Sequence, residues 1–238
     1  MGSRSPAPLR SLPRAFVVGV PDPLPAHILL PEEEYSKFHK VLRLKSGDEV
    51  AILPNDGRLV RARLEGHGAV PTETHWPDTE PKTKLTLCLA MPKADSLDES
   101  VRMGSEIGVA EFVVFPSDRS VTNWDDSKRT NRLRRLRAIA REAAEVGFRT
   151  RMPKIVLAES LQRVLEEHSE AQVLSEVESV VKTLQRGAVV TLVVGPEGGW
   201  SPKEVGLIGE RAVTLGPRVL RVDTAAAAAC ALVLLHEG

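Results

Sequence analysis

The sequence predicts an α/β protein: a mostly parallel sheet covered by helices on both faces, preceded by a small β-barrel module. Three observations carry this reading. From Leu85 onward, strand-like apolar runs alternate with helical patterns, as parallel pairing through crossover helices requires. Before residue 70, short strand-like runs joined by turn signals surround a single helical pattern. Between the two, Gly66 to Lys82 holds three prolines, two glycines and almost no periodicity, which reads as a linker.

In chain order, Met1 to Pro13 is rich in Ser, Pro and Arg and is expected to be disordered. Arg14 to Val18 is strand-like. Pro31 followed by Glu32, Glu33 and Glu34 opens a helix, with acids in its first turn and Tyr35, Phe38, Val41 and Leu42 at helical spacing. Glu49–Leu53 and Leu59–Leu64 bracket Asn55-Asp56-Gly57 as a hairpin. In the second half, strands are expected at 85–90, 112–115, 155–157 and 189–194. Helices are expected at 96–107, 128–146, 161–167, 202–211 and 223–236. The boundaries that follow are a tail at 1–13, the barrel at 14–70, a linker at 71–82 and the α/β domain at 83–238.

The 238 residues suffice for a core without disulfide or metal staples. An apolar fraction of 42% excludes wholesale disorder. Lys+Arg and Asp+Glu number 32 each, so a uniformly basic nucleic-acid binder is excluded while a local basic patch is not. Cys88 and Cys230 each sit in an apolar run and read as buried thiols in a reducing compartment. The longest apolar run, Ala225 to Leu235, is too short for a bilayer, and no secretory signal opens the chain, so a soluble cytoplasmic protein is expected. The six histidines are scattered and no Cys pair has ligand spacing, so no metal site is expected.

Chemistry concentrates in three places. Val194-Gly195-Pro196-Glu197-Gly198-Gly199-Trp200-Ser201-Pro202 runs from a buried strand through a glycine turn into a helix. Ser201 and Glu204 form a capping box there, and Pro202 stands first in the helix. Its glycines serve either a turn needing positive φ or the close approach of a ligand. It lacks the ending of a P-loop and the spacing of a dinucleotide fingerprint, which disfavours a Rossmann-type enzyme. The second place, Leu215-Gly216-Pro217-Arg218-Val219-Leu220-Arg221, precedes Asp223, Thr224 and five alanines. Asp223 or Thr224 is expected to cap the helix, and the alanines allow close packing. The third is Lys128 to Arg151, where nine Lys/Arg face two Glu. Leu133, Leu136, Ala140 and Ala144 share one helix face, and Arg134, Arg137 and Arg141 another, which favours a polyanion over an ordinary solvated face.

These residues resemble the 16S rRNA uridine-N3 methyltransferases of the SPOUT superfamily. Gly195 to Ser201, Leu215 to Arg221 and Thr224-Ala225 carry the most specific part of the likeness. Lys40-Val41-Leu42-Arg43-Leu44-Lys45 with Gly47-Asp48 resembles the family's N-terminal stretch. Lys93, Asp95 and Asp98 with Glu106 to Val109, Asp118 to Val121, and Glu142 to Glu145 with Arg149 extend it. Ser96, Met103, Val146 and Gly147-Phe148 depart from the family pattern, all in segments expected to face RNA.

The resemblance implies a PUA-like RNA-binding barrel, a SPOUT domain with a C-terminal trefoil knot, and a homodimer formed through the knotted domain. It implies S-adenosylmethionine as methyl donor, bound by Val194, Gly195, Pro196, Glu197, Gly198, Gly199, Leu215, Gly216, Arg218, Leu220, Thr224 and Ala225. The implied substrate is N3 of a uridine, position 1498, of 16S rRNA in the small ribosomal subunit. Arg119, Arg149 and Arg221 are the catalytic candidates, for anion stabilisation or phosphate clamping. Arg14, Lys40, Arg43, Lys93, Arg134, Arg137 and Arg141 are the RNA-binding candidates. The alternatives are a SPOUT methyltransferase for a different RNA site and a non-catalytic RNA-binding or ribosome-assembly factor.

Overall fold

The computed structural model describes residues 7–120, 124, 126–177 and 182–235. Residues 1–6 of the expected tail, Val121 and His236 lie outside the described residues. The chain divides into two compact units. The first comprises the described residues up to Glu80 together with Phe148–Arg151, and the second comprises Pro81–Gly147 and the chain from Met152.

In the first unit β1 (Arg14–Phe16), β2 (Ile28–Leu29), β3 (Glu49–Leu53), β4 (Leu59–Glu65) and β5 (Gly68–His75) form one sheet. Their order is β1-β3-β4-β5-β2. β1 pairs with β3 in parallel and the remaining pairs are antiparallel. The β3–β4 hairpin forms where the turn residues predict it, with Asn55 at φ 74° and Gly57 at φ 107°. The buried Arg58 guanidinium fixes that turn through Asp56 Oδ2 (2.8 Å) and the Val20 carbonyl (2.7 Å). Phe16, Phe38, Ile52 and Leu64 fill the core.

Three sequence expectations change in this unit. Residues 7–13 are ordered: Leu9–Ser11 makes a 3-10 turn, Leu12 is buried, and the Ala7 carbonyl accepts from the Arg61 guanidinium (2.6 Å). β5 extends to His75, into the expected linker. It tolerates Pro71 because a bulge falls there, and the Thr72 hydroxyl donates to the Arg61 carbonyl (3.1 Å). The predicted helix is α1 (Glu32–Ser36) running into a π-turn at Lys37–Val41. The wider turn rotates Val41 and Leu42 off the buried face, leaving them 72% and 46% exposed.

The second unit is a six-stranded parallel sheet between two helical layers. Its elements are β6 (Lys84–Ala90), α2 (Ala94–Ile107), β7 (Glu111–Phe115), α3 (Asp126–Val146), β8 (Lys154–Leu157), α4 (Leu161–Glu167), β9 (Gln172–Leu174), β10 (Val189–Val194), α5 (Pro202–Ile208), β11 (Ala212–Val213) and α6 (Val222–Leu234). The strand order is β11-β9-β10-β6-β7-β8. Strand periodicity sorts side chains between the layers. Leu85, Leu87, Leu89, Phe112, Val114 and Leu192 pack with Leu97 and Val101 of α2, Leu136 of α3 and Ala226, Cys230 and Val233 of α6. Cys88, Ala90, Val113, Phe115 and Val193 face Leu161 and Val164 of α4 and Ile208 of α5. The short β9 and β11 were not anticipated; two or three residues carry no readable alternation. Among the described residues no helix is long and apolar enough to cross a membrane.

Burial raises the pKa of both thiols, pushing Cys230 up to about 12; burial with the nearby Glu111 and Glu167 carboxylates lifts Cys88 as well. Neither thiol of the native protein is therefore expected to react with a disulfide reagent at pH 8, and both are expected to react once guanidinium unfolds the chain. Rapid native labelling of either would contradict their placement.

Candidate functional site

The strand order reverses at β6. The chain steps outward through β7 and β8, returns to lay β9 on the far side, and inserts β10 between β9 and β6. Because all pairings are parallel, the loops after β6, β7, β9, β10 and β11 leave from one edge of the sheet, where open α/β sheets hold ligands.

The loop after β10 is built around Trp200. Its indole N–H donates to the Leu174 carbonyl at the end of β9 (2.9 Å), tying the β10 turn to its neighbour. Gly195 packs closely beside it, since a Cβ there would stand 3.0 Å from the indole. Gly199 closes the turn at φ 67°, its N–H donating to the Pro196 carbonyl (2.9 Å). Of the two roles weighed for these glycines, a turn with positive φ is therefore present. The capping box is formed as expected: Ser201 Oγ accepts from the Glu204 N–H (3.2 Å), and Glu204 Oε2 accepts from the Ser201 N–H (2.9 Å). Glu204 Oε1 reaches further. It accepts from Ser117 Oγ (2.7 Å) and the Asp118 N–H (3.1 Å) in the loop after β7. Ser201 Oγ donates to Asp118 Oδ2 (2.6 Å) beside them. The next residue, Arg119, donates from Nη1 to the Gly198 carbonyl (2.9 Å).

The loop after β11 turns at Gly216, φ 110°, where Thr214 Oγ1 accepts from the Gly216 N–H (3.1 Å). α6 begins at Val222 with Arg221 as its N-cap residue, so neither Asp223 nor Thr224 caps it; Asp223 lies in the first turn, where the helix dipole favours a carboxylate.

These loops enclose a cavity of about 830 Å³. Val194, Gly195, Pro196, Glu197, Gly199, Leu215, Gly216, Arg218, Leu220 and Ala225 line it, joined by the catalytic candidates Arg119 and Arg221. Two expected lining residues do not. Gly198 turns toward Arg119, whose Cβ would lie 3.3 Å from a Cβ at residue 198, and Thr224 is exposed on α6. The sequence does not mark as lining Leu174 at the end of β9, Ser175 to Val177 after it, or Ser96, Trp200, Val205, Thr214, Val219 and Val222. Trp200 was legible, standing inside the quoted motif; the β9 loop carries no motif at all. The lining combines apolar wall, backbone at three glycines, two carboxylates (Glu176 and Glu197) and the guanidiniums of Arg119, Arg218 and Arg221. Such a surface suits a flat heteroaromatic ligand that carries charged groups.

The other candidates separate. Lys93, expected on RNA, lines the cavity, and its N–H donates to Glu197 Oε1 (3.0 Å). Arg149, a catalytic candidate, is a buried clamp of the first unit: its guanidinium pairs with Glu80 (2.8 Å), so its charge is already committed. Arg14 folds back onto the carbonyls of Leu12 (3.2 Å) and Arg10 and lies over the Phe148 ring (4.7 Å). Lys40 and Arg43 are exposed on the first unit. On α3, Leu136, Ala140 and Ala144 are buried and Arg134 and Arg137 exposed, as the face assignment predicts. Arg141 is half-buried, 3.6 Å from Glu145. Arg132 and Arg135 both pair with Asp98 of α2 (3.3 and 2.7 Å), which narrows the basic patch. Among the described residues no cluster suits a metal ion.

The family model described as RNA methyltransferase domain matches residues 79–234. Ribosomal RNA small subunit methyltransferase E of Mycobacterium bovis is 34% identical over 81% of this chain and 80% of its own length. The Bacillus subtilis protein of the same name is 30% identical over 81% and 84%. A crystal structure of the Neisseria gonorrhoeae protein of that name, bound to S-adenosyl methionine, superposes with a TM-score of 0.81 at 26% identity, covering 93% of this chain and 96% of that one.

Gly195 in the turn and Gly206 in α5 should respond oppositely to alanine. Gly195→Ala presses a methyl group onto the Trp200 indole and is expected to cost about 1–3 kcal/mol. Gly206→Ala, inside α5 with no atom within 4 Å of the new Cβ, is expected to stabilise by about 0.5–1 kcal/mol. Calorimetric Tm values that move in the same direction would contradict this.

Proposed function

The chain belongs to the ribosomal RNA small subunit methyltransferase E family of RNA methyltransferases, and from that premise we propose that it methylates N3 of a uridine in 16S rRNA, at position 1498, with S-adenosylmethionine as donor. One observation carries the reading: the loops after β10 and β11, separated in the chain by α5 and β11 itself, close one cavity whose lining meets the chemistry of that donor. The volume falls within the roughly 300–1,000 Å³ of small-molecule sites. Gly199 and Gly216 face open space at positive φ, so backbone rather than side chain meets the ligand there. Val194, Leu215 and Leu220 offer apolar wall for an adenine ring.

S-adenosylmethionine supplies a methyl group on a sulfonium, open to direct displacement. The residues of the chain have three tasks. They hold the acceptor nitrogen in line with that methyl group, since alignment supplies much of the rate gain. They stabilise the negative charge that spreads over O2 and O4 when N3 loses its proton, a role for Arg119 and Arg221. They receive the proton. Glu197, held by the Lys93 N–H, and Glu176 are the lining carboxylates, whereas Glu142 stands exposed on α3. The uridine must leave its stack to reach the cavity. Lys40, Arg43, Arg134 and Arg137 hold the RNA backbone, the first unit acting as a PUA-like module. The trefoil knot, a homodimer through the second unit and a cytoplasmic location belong to the same proposal. Exposed Leu232 and Leu235 near the end of α6 supply apolar surface for such a dimer.

Labelled donor and small subunits from modification-deficient cells are expected to yield one methyl group on N3 of a single uridine by mass mapping. Arg221→Ala is expected to slow transfer about a hundredfold. A methyl group on another nucleotide, or none, would sink the assignment. Replacing both Arg43 and Arg137 with alanine is expected to weaken RNA binding and to lower the slope of log affinity against log salt by roughly 1.5. An unchanged slope would remove both from the contact surface.

A further inference from the structure

The Glu204 carboxylate is 4% exposed and has no cationic partner among the described residues. A buried carboxylate without a counter-charge is costly unless hydrogen bonds replace its water. Capping α5 uses only Oε2, and a glutamine would cap equally well. Oε1 is turned wholly to another element, accepting from Ser117 Oγ and the Asp118 N–H in the loop after β7. The hydroxyl of Ser201, the N-cap residue, makes a second tie to that loop through Asp118 Oδ2. The residue that follows these ties is Arg119, which reaches the cavity and donates to the Gly198 carbonyl. Gly198 lacks the Cβ that would crowd Arg119.

We propose that Glu204 is a positioning residue, whose carboxylate fixes the Ser117–Ser120 loop so that Arg119 stays over the Gly195–Gly199 turn. The inference rests on the catalytic role given to Arg119 above. It gives Glu204 and Gly198 roles that act through Arg119 rather than by touching the donor.

Two variants separate the tie from the cap. In Glu204→Gln the amide oxygen still accepts from the Ser201 N–H, and the amide nitrogen then confronts the Asp118 N–H, donor against donor. Ser117→Ala removes one tie and leaves the cap untouched. Each variant is expected to slow single-turnover methyl transfer at least tenfold, with donor affinity within threefold of the parent. Neither is expected to slow transfer further when added to Arg119→Ala. Amide exchange at Asp118–Ser120 is expected to quicken at least tenfold while α5 keeps its protection. Losses that add to that of Arg119→Ala, unchanged rates, or an Arg119→Ala variant of full activity would each overturn the inference. If the parent protein transfers no methyl group, the functional reading fails, and exchange alone decides: quickened exchange confined to the loop supports the tie, and unchanged exchange refutes it.

Discussion

The cavity depends on β10 lying in parallel register between β6 and β9. Val189 to Val194 pair residue by residue with Lys84 to Leu89, and Leu192 and Val193 pair with Gln172 and Val173 on the other side. A strand covered on both faces has to be apolar along its length, and this one is broken only by Thr191, whose hydroxyl meets His168 Nδ1 (3.2 Å). Parallel pairing brings the carboxyl ends of all three strands to one edge. Insertion of a late strand into the middle sets the turn after β10 among the loops of strands made much earlier. A slip by one residue would exchange the two faces and drive Trp200 away from the Leu174 carbonyl.

Much of this was legible because it rests on runs long enough to show a period. β6, β7 and β10 are continuous apolar segments, α3 shows both its faces, and the capping box at Ser201 and Glu204 is written in four residues. What the sequence hid rests on partners. β9 and β11 exist because β10 and its neighbours offer them hydrogen bonds, not because their residues prefer extension. β5 passes through Pro71 because β5 itself bulges there, with Thr72 the extra residue opposite Arg61 and Ala62. The π-turn after α1 depends on packing around Phe38, which spacing alone cannot reveal. The strand order was equally invisible, since nothing in Val189–Val194 states which two strands will flank it.

The arginines show the same division. Their number is a property of the sequence, but their availability is decided by carboxylates that lie far away in the chain. Asp98 takes Arg132 and Arg135, and Glu80 takes Arg149, so a local excess of charge overstates the field that an approaching polyanion meets. Arg218 and Arg221 have no ion-pair partner among the described residues, and both line the cavity. A cation left without a carboxylate at the rim of an apolar cleft carries more meaning than one in a crowded basic stretch.

Glu80 also sets the order in which the polypeptide can be completed. Its carboxylate gathers the Arg149 guanidinium together with the N–H groups of Thr150 (2.8 Å) and Arg151 (3.0 Å), while Arg151 reaches the Asp56 carbonyl. The acceptors precede residue 81 and the donors follow residue 147. During synthesis the amino-terminal module therefore waits, one clasp unfastened, until the ribosome has delivered a segment encoded well downstream. A gene cut after Glu80 would yield a product lacking that clasp.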